Sequence, residues 1–142
     1  MAELPELEKI ASEVIETFDI KAPPVPIESM LQHPKADMWA EVDITRLSGG
    51  FLSIKNQYSP RMSLARLLAR HIIVSEWGTA RNLKSLTEAK DGIDMFARML
   101  IMPVTMVRSL SASARTPTTL SLHFEVPEDD ARERLMELAH YL

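Results

Sequence analysis

The chain has 142 residues, 46% of them hydrophobic, and a net charge of −4. That length and composition suit one domain's worth of core and argue against disorder and against a surface built to follow nucleic-acid phosphates. The absence of cysteine excludes disulfides, thiolate metal sites and cysteine nucleophiles together.

Met1 to Glu6 is acidic and has no apolar segment, so no signal peptide is read there. No apolar run approaches the roughly 18 residues of a membrane span. A soluble, cytoplasmic protein is expected. Pro5 to Phe18 predicts an amphipathic helix, because Leu7, Ile10, Ala11, Val14, Ile15 and Phe18 recur at three- and four-residue steps. Asp19 to Pro26 is a stiff, extended connection, since each proline restricts the residue before it. Ile27 to Gln32 predicts a short helix. Asp37 to Ile44, with Trp39, Val42 and Ile44, reads as a strand. Ser48-Gly49-Gly50 reads as a turn or bulge and Phe51 to Ile54 as a second strand.

Ser59 to Val74 is the stretch around which the rest is expected to be organised. Ser59 suits an N-cap and Pro60 a first helical position. Leu64, Leu67, Leu68, His71 and Ile72 form an apolar stripe. Arg66 and Arg70 are four apart and so share one face. Glu76-Trp77-Gly78 ends the element, with the glycine as its C-cap. Thr79 to Lys90 reads as a polar loop with a helical turn. Asp91 to Met102 predicts a central helix, apolar nearly all round, which Pro103 stops. Val104 to Ser111, a helix capped by Thr116-Pro117, and Glu128 to Tyr141 predict a helical tail.

Several stretches resemble the ImmA/IrrE family of metallopeptidases. Arg61-Met62-Ser63-Leu64-Ala65-Arg66-Leu67-Leu68-Ala69-Arg70 occupies the frame of that family's motif helix, R-F-T-L-A-H-E-L-G-H. Phe96 to Pro103 is similar to its F-A-x-x-L-L-M-P segment, and Leu120 to Leu135 to its L-A-x-x-F-x-V-S-x-x-A-x-x-x-R-L tail. The start is also similar: a helix, then Pro23-Pro24-Val25, then a short helix. The resemblance implies an α+β fold. Residues 1–102 would form a mostly helical zincin-like domain with a small antiparallel sheet. Residues 103–142 would form a three-helix, helix-turn-helix-like tail packed on it.

In that register Arg66 and Arg70 replace the two metal-binding histidines and Leu67 replaces the glutamate. The third ligand position falls near Lys90, with Glu88 and Asp91 beside it. A zinc peptidase helix needs two neutral imidazoles one turn apart and a carboxylate that activates the bound water. Guanidinium is permanently protonated and has no lone pair to give a cation. Leu67 can neither take nor give a proton. His71 lies about 100° further round the helix and cannot replace position 70 without a register change. The expected function is a catalytically inactive relative of these peptidases, with no catalytic residue, metal or cofactor, acting as a protein-binding or regulatory module. Active members of the family cleave repressors of phage-like or stress regulons, so the resemblance implies a transcription regulator or another protein as partner.

Arg66, Arg70 and His71 are the candidate residues of a remnant anion- or partner-binding site. The two arginines read either as salt-bridged to Glu76, Glu88, Asp91 or Asp94, or as a site for a carboxylate, phosphate or acidic peptide. His71 reads as a hydrogen-bonded core histidine. The nine methionines read as core filler, with an exposed groove for a partner helix as the other reading. Two further functions stand as alternatives: an active metallopeptidase with displaced ligands, and a DNA-binding regulator acting through the C-terminal helices. Charge opposes the second. Glu125, Glu128, Asp129, Asp130, Glu133 and Glu137 outnumber Arg132 and Arg134, whereas a helix entering the major groove is basic. A surface for a basic protein partner fits that balance better. No membrane partner is expected, and the oligomeric state is open.

Overall fold

Residues 4–43 and 57–140 are described by a computed structural model, and helix faces supply most of their core. The elements are α1 (Leu4–Thr17), α2 (Ile27–Gln32), α3 (Ser59–Val74), α4 (Glu76–Thr79), α5 (Gly92–Ile101), α6 (Val104–Arg108), α7 (Pro117–Phe124) and α8 (Glu128–Glu137). Two 3-10 turns, Leu83–Thr87 and Ala112–Ala114, lie between them.

α3 and α5 form the central pair, with α2 against α3, α1 against α5, and α7 against α8. α3 buries Met62, Ser63, Leu64, Ala65, Leu68, Ala69, Ile72 and Ile73. The stripe therefore centres on Ala65 and Ala69, whose small side chains leave room for a neighbouring helix, and Leu67 and His71 sit at its half-buried edge. Ser59 is not the N-cap. Tyr58 is, and Ser59 and Pro60 are the first helical residues, where the missing proline N–H leaves nothing unpaired.

The helix also ends differently from the sequence reading. Ser75 leaves the helix in extended backbone. Its hydroxyl donates to Ile72 O at 2.7 Å and accepts the Gly78 N–H at 3.1 Å, so one residue stops α3 and caps α4. Gly78 is no left-handed C-cap, because its φ is not positive. It is glycine because a Cβ there would stand 2.0 Å from Ile72 O. Arg81 fixes α4 to α1, lying over the Trp77 ring at 3.6 Å and pairing with Glu13 at 3.0 Å.

The expected α+β fold does not hold: the described residues contain helices and no strand, hence no antiparallel sheet. The segment 37–43, read as part of a strand, is irregular chain. Asp37 has φ 66°, outside any strand conformation. The Trp39 indole N–H and the Val42 N–H both donate to Leu31 O, at 3.0 and 3.2 Å, and Asp37 O accepts the Trp77 N–H at 3.0 Å. These groups bond to helix ends, so no neighbouring strand is needed to satisfy them. Trp39 is buried and stacks on Phe18, with ring centroids 6.3 Å apart. The apolar residues that suggested a strand instead close over α2. Ile44, the turn at Ser48-Gly49-Gly50 and the strand at Phe51 to Ile54 lie outside the described residues.

The tail is shorter-limbed than the periodicity suggested. α6 stops at Arg108 and α8 at Glu137. Thr116 caps α7 by accepting the Thr119 N–H at 3.2 Å. Glu125 turns the chain left-handed, φ 57°, and the Val126 N–H returns to Ser121 O at 3.1 Å. α8 is then held by charge. Arg134 is fully buried. It donates to both Glu8 oxygens, at 2.5 and 2.7 Å, and to Met102 O at 2.9 Å. Arg98 of α5 holds Glu137 with two bonds, the shorter 2.8 Å. No helix among the described residues is long and apolar enough to cross a membrane.

Candidate functional site

Position 66 lies where α3 meets α5. The Arg66 Nε is 3.3 Å from Asp94 Oδ1, and both side chains remain partly exposed. Asp94 and Arg98 are one turn apart on α5, and Arg98 is engaged by Glu137 of α8. Asp130 of α8 belongs to the same network. Burial raises its carboxyl above the usual range, against the opposing pull of Arg66 and Arg98. Charges of both signs from α3, α5 and α8 thus meet beside position 66.

Arg70, one turn further, is exposed and makes no ion pair among the described residues. It lines a shallow dimple of about 180 Å³ with Ala89, Asp91, Gly92, Ile93 and Asp94. Asp91 opens α5 in the left-handed conformation, φ 60°, without a side-chain cap bond. Gly92 follows because a Cβ there would lie 2.3 Å from Leu86 O. The backbone packs tightly on the preceding 3-10 turn, and the dimple is what remains above it.

His71 is not part of that dimple. Its ring tilts against Trp39, with centroids 6.0 Å apart. It is half-buried, without a side-chain hydrogen bond among the described residues, so the hydrogen-bonded core histidine of the sequence reading is replaced by ring packing. Burial holds its pKa below the usual imidazole value. The structure therefore gathers Arg66 and Arg70 around Asp94 and sends His71 elsewhere. Lys90 is exposed and precedes α5, and the carboxylate that reaches position 66 is Asp94.

The chemistry available follows from these groups. Guanidinium at positions 66 and 70 offers donors only, and Asp94 already accepts from one of them. Among the described residues no three histidine, aspartate or glutamate side chains are placed to hold a metal ion. The dimple can take a hydrogen-bond acceptor on Arg70, but Asp91 and Asp94 at its wall limit how much negative charge it tolerates.

Three arginines matter more to the architecture than sequence reasoning credited. Arg61, the first residue of the motif frame, joins three helix ends. It donates to both Glu28 oxygens at 3.2 Å, to Val25 O at 2.9 Å, to Phe124 O at 3.3 Å and to Glu125 O at 3.2 Å. Arg98 and Arg134 clamp α8. A signal for the last existed: Glu8 falls on the apolar stripe of α1, and Arg134 in line with the buried Ala131 of α8 and Leu138 at its C-cap. Charged residues on two apolar faces announce a buried pair. Comparison of the chain with protein-family models, with curated proteins and with solved structures yields no match.

Proposed function

We propose that this chain is a catalytically inactive relative of the ImmA/IrrE peptidases that serves, in the cytoplasm, as a protein-binding regulatory module. A transcription regulator or another protein is its partner. The observation that carries this reading is the Arg66–Asp94 pair. At the position where the resemblance puts the first metal-binding histidine stands a fixed cation, already engaged by a carboxylate of the next helix. A divalent ion entering there would face two permanent positive charges and compete with Arg66 for Asp94. Leu67, in place of the glutamate, supplies no base for a water. The dimple beside Arg70 is the remnant of the site, and a single carboxylate side chain of a partner suits it better than a phosphate.

Metal uptake by the full chain and by the triple variant Arg66→His, Leu67→Glu, Arg70→His tests the reading. After zinc loading and dialysis the natural chain is expected to retain almost none. The variant, with two imidazoles one turn apart beside Asp94, is expected to retain about one equivalent. Tightly held stoichiometric zinc in the natural chain would restore the active-peptidase alternative.

A further inference from the structure

The turn between α6 and α7 holds an unmet donor. Arg115 Nε is buried without a hydrogen-bond partner, the one side-chain atom of that kind among the described residues. Arg115 Nη2 donates to Arg108 O at 3.0 Å, across the turn, and the side chain makes no ion pair among the described residues. A buried N–H left unpaired is costly, and on a cation it suits an anionic acceptor. The surrounding sequence supplies none. Positions 95–124 contain Arg98, Arg108 and Arg115 and no aspartate or glutamate, in a chain whose net charge is −4.

The hydroxyls around this turn are not equivalent. Ser109 donates to Met106 O at 2.6 Å. Thr116 caps α7, and Thr118 donates to Glu128 at 3.1 Å. Ser111 and Ser113 are exposed and bond each other, Oγ to Oγ, at 3.3 Å. Of these two, Ser111 stands in extended backbone, φ −63° and ψ 156°, ahead of the 3-10 turn, whereas Ser113 lies inside it. The exposed Arg108 is three positions before Ser111. Among the described residues the backbone bonds of 109–116 are all local to the turn and its flanking helix ends, so the segment can be drawn out while the helices stay packed.

We infer that Ser111 is a phosphoacceptor site and that Arg115 receives the phosphate. The modifying partner is a protein kinase that reads an arginine three positions before its serine. It transfers the γ-phosphoryl group of a nucleoside triphosphate to Ser111 Oγ, the Oγ–H proton passes to the kinase's base, and the nucleoside diphosphate leaves. The product carries a charge of about −1.5 to −2 at pH 7 and three strong acceptor oxygens. The Arg115 Nε–H then has an anion to meet, and a charge-assisted bond ties residues 111 and 115 across the 3-10 turn. The inference goes beyond the reading of positions 66 and 70 and is independent of it.

The full chain is incubated with magnesium-ATP and the catalytic domain of an arginine-directed serine kinase, and the product is mapped by mass spectrometry. A single phosphoryl group is expected, at Ser111. Ser111→Ala takes up none, Ser109→Ala and Ser113→Ala are modified as the natural chain is, and Arg108→Gln is modified about tenfold more slowly. Phosphorus NMR and thermal unfolding then read the part played by Arg115. In the natural chain the phosphate is expected to titrate below its ordinary value of about 6, and the melting temperature to rise by about 3 °C on modification. Arg115→Gln is expected to accept the phosphoryl group equally, to leave its titration near the ordinary value and to show no rise. An unmodified folded chain, modification at Ser109 or Ser113 in place of Ser111, or a phosphate whose titration and effect on melting are the same with and without Arg115 would overturn the inference.

Discussion

Arg134 is the residue on which the fold has most at stake. Burying a guanidinium is tolerable only when its donors and its counter-charge are all satisfied, and here Glu8 and Met102 O do both. Arg134→Met strands Glu8 in the core and is expected to cost about 3–5 kcal/mol in urea unfolding. Adding Glu8→Leu removes the orphaned charge and is expected to recover most of that loss. His71 and Asp130 give opposite pH signatures. The folded His71 has a pKa below the 6.5 of the free imidazole. The unfolded chain therefore takes up this proton first, and stability drops as pH falls below 6.5 and through the folded value. His71→Phe, which keeps a ring against Trp39, is expected to flatten the part of the stability profile that falls away below pH 6.5. Asp130 has a folded pKa above 3.8, so its charge is a burden at neutral pH that acidification relieves. Asp130→Asn is expected to hold or raise the melting temperature at pH 7 and to lose any advantage below pH 3.8.

At the scale of elements, junctions are more demanding than helix interiors. Ser75 ends one helix and caps the next, and Gly78 lets that second turn press against carbonyls of α3. Gly78→Ala forces a Cβ onto Ile72 O and is expected to destabilise by about 1–3 kcal/mol in denaturant titration, although alanine is the better helix former. The end of α7 is the reverse case. Glu125 occupies the left-handed position that glycine takes at no steric cost, so Glu125→Gly is expected to stabilise by about 0.5–1 kcal/mol in the same measurement. Periodicity made α1, α2 and α5 legible almost to their ends. It failed at 37–43 because a buried tryptophan with apolar neighbours looks alike on a strand and on a segment folded over a helix end. Only Leu31 O and the Asp37 φ separate the two.

At the scale of the molecule, the tail is part of the same packed body as the helices before it. α8 contributes Arg134 to Glu8 and Glu137 to Arg98, and its Ala131, with the C-cap Leu138, lies in the common core. A chain ended at Met102 would leave Glu8 buried without its cation and the apolar face of α5 partly uncovered. Such a truncated chain is expected to show no cooperative thermal transition and to bind a hydrophobic dye, where the full chain unfolds in one step.

Sequence alone determined what is local. The helices follow from apolar spacing, caps and prolines within a few residues of one another, and the donor-only chemistry at positions 66 and 70 follows from the identity of the side chains. Tertiary structure decided which charges meet. Glu8 and Arg134 stand 126 positions apart, and Arg66 could have faced any of several carboxylates. The choice of Asp94 depends on how α3 and α5 pack, a relation between distant segments that no local pattern encodes.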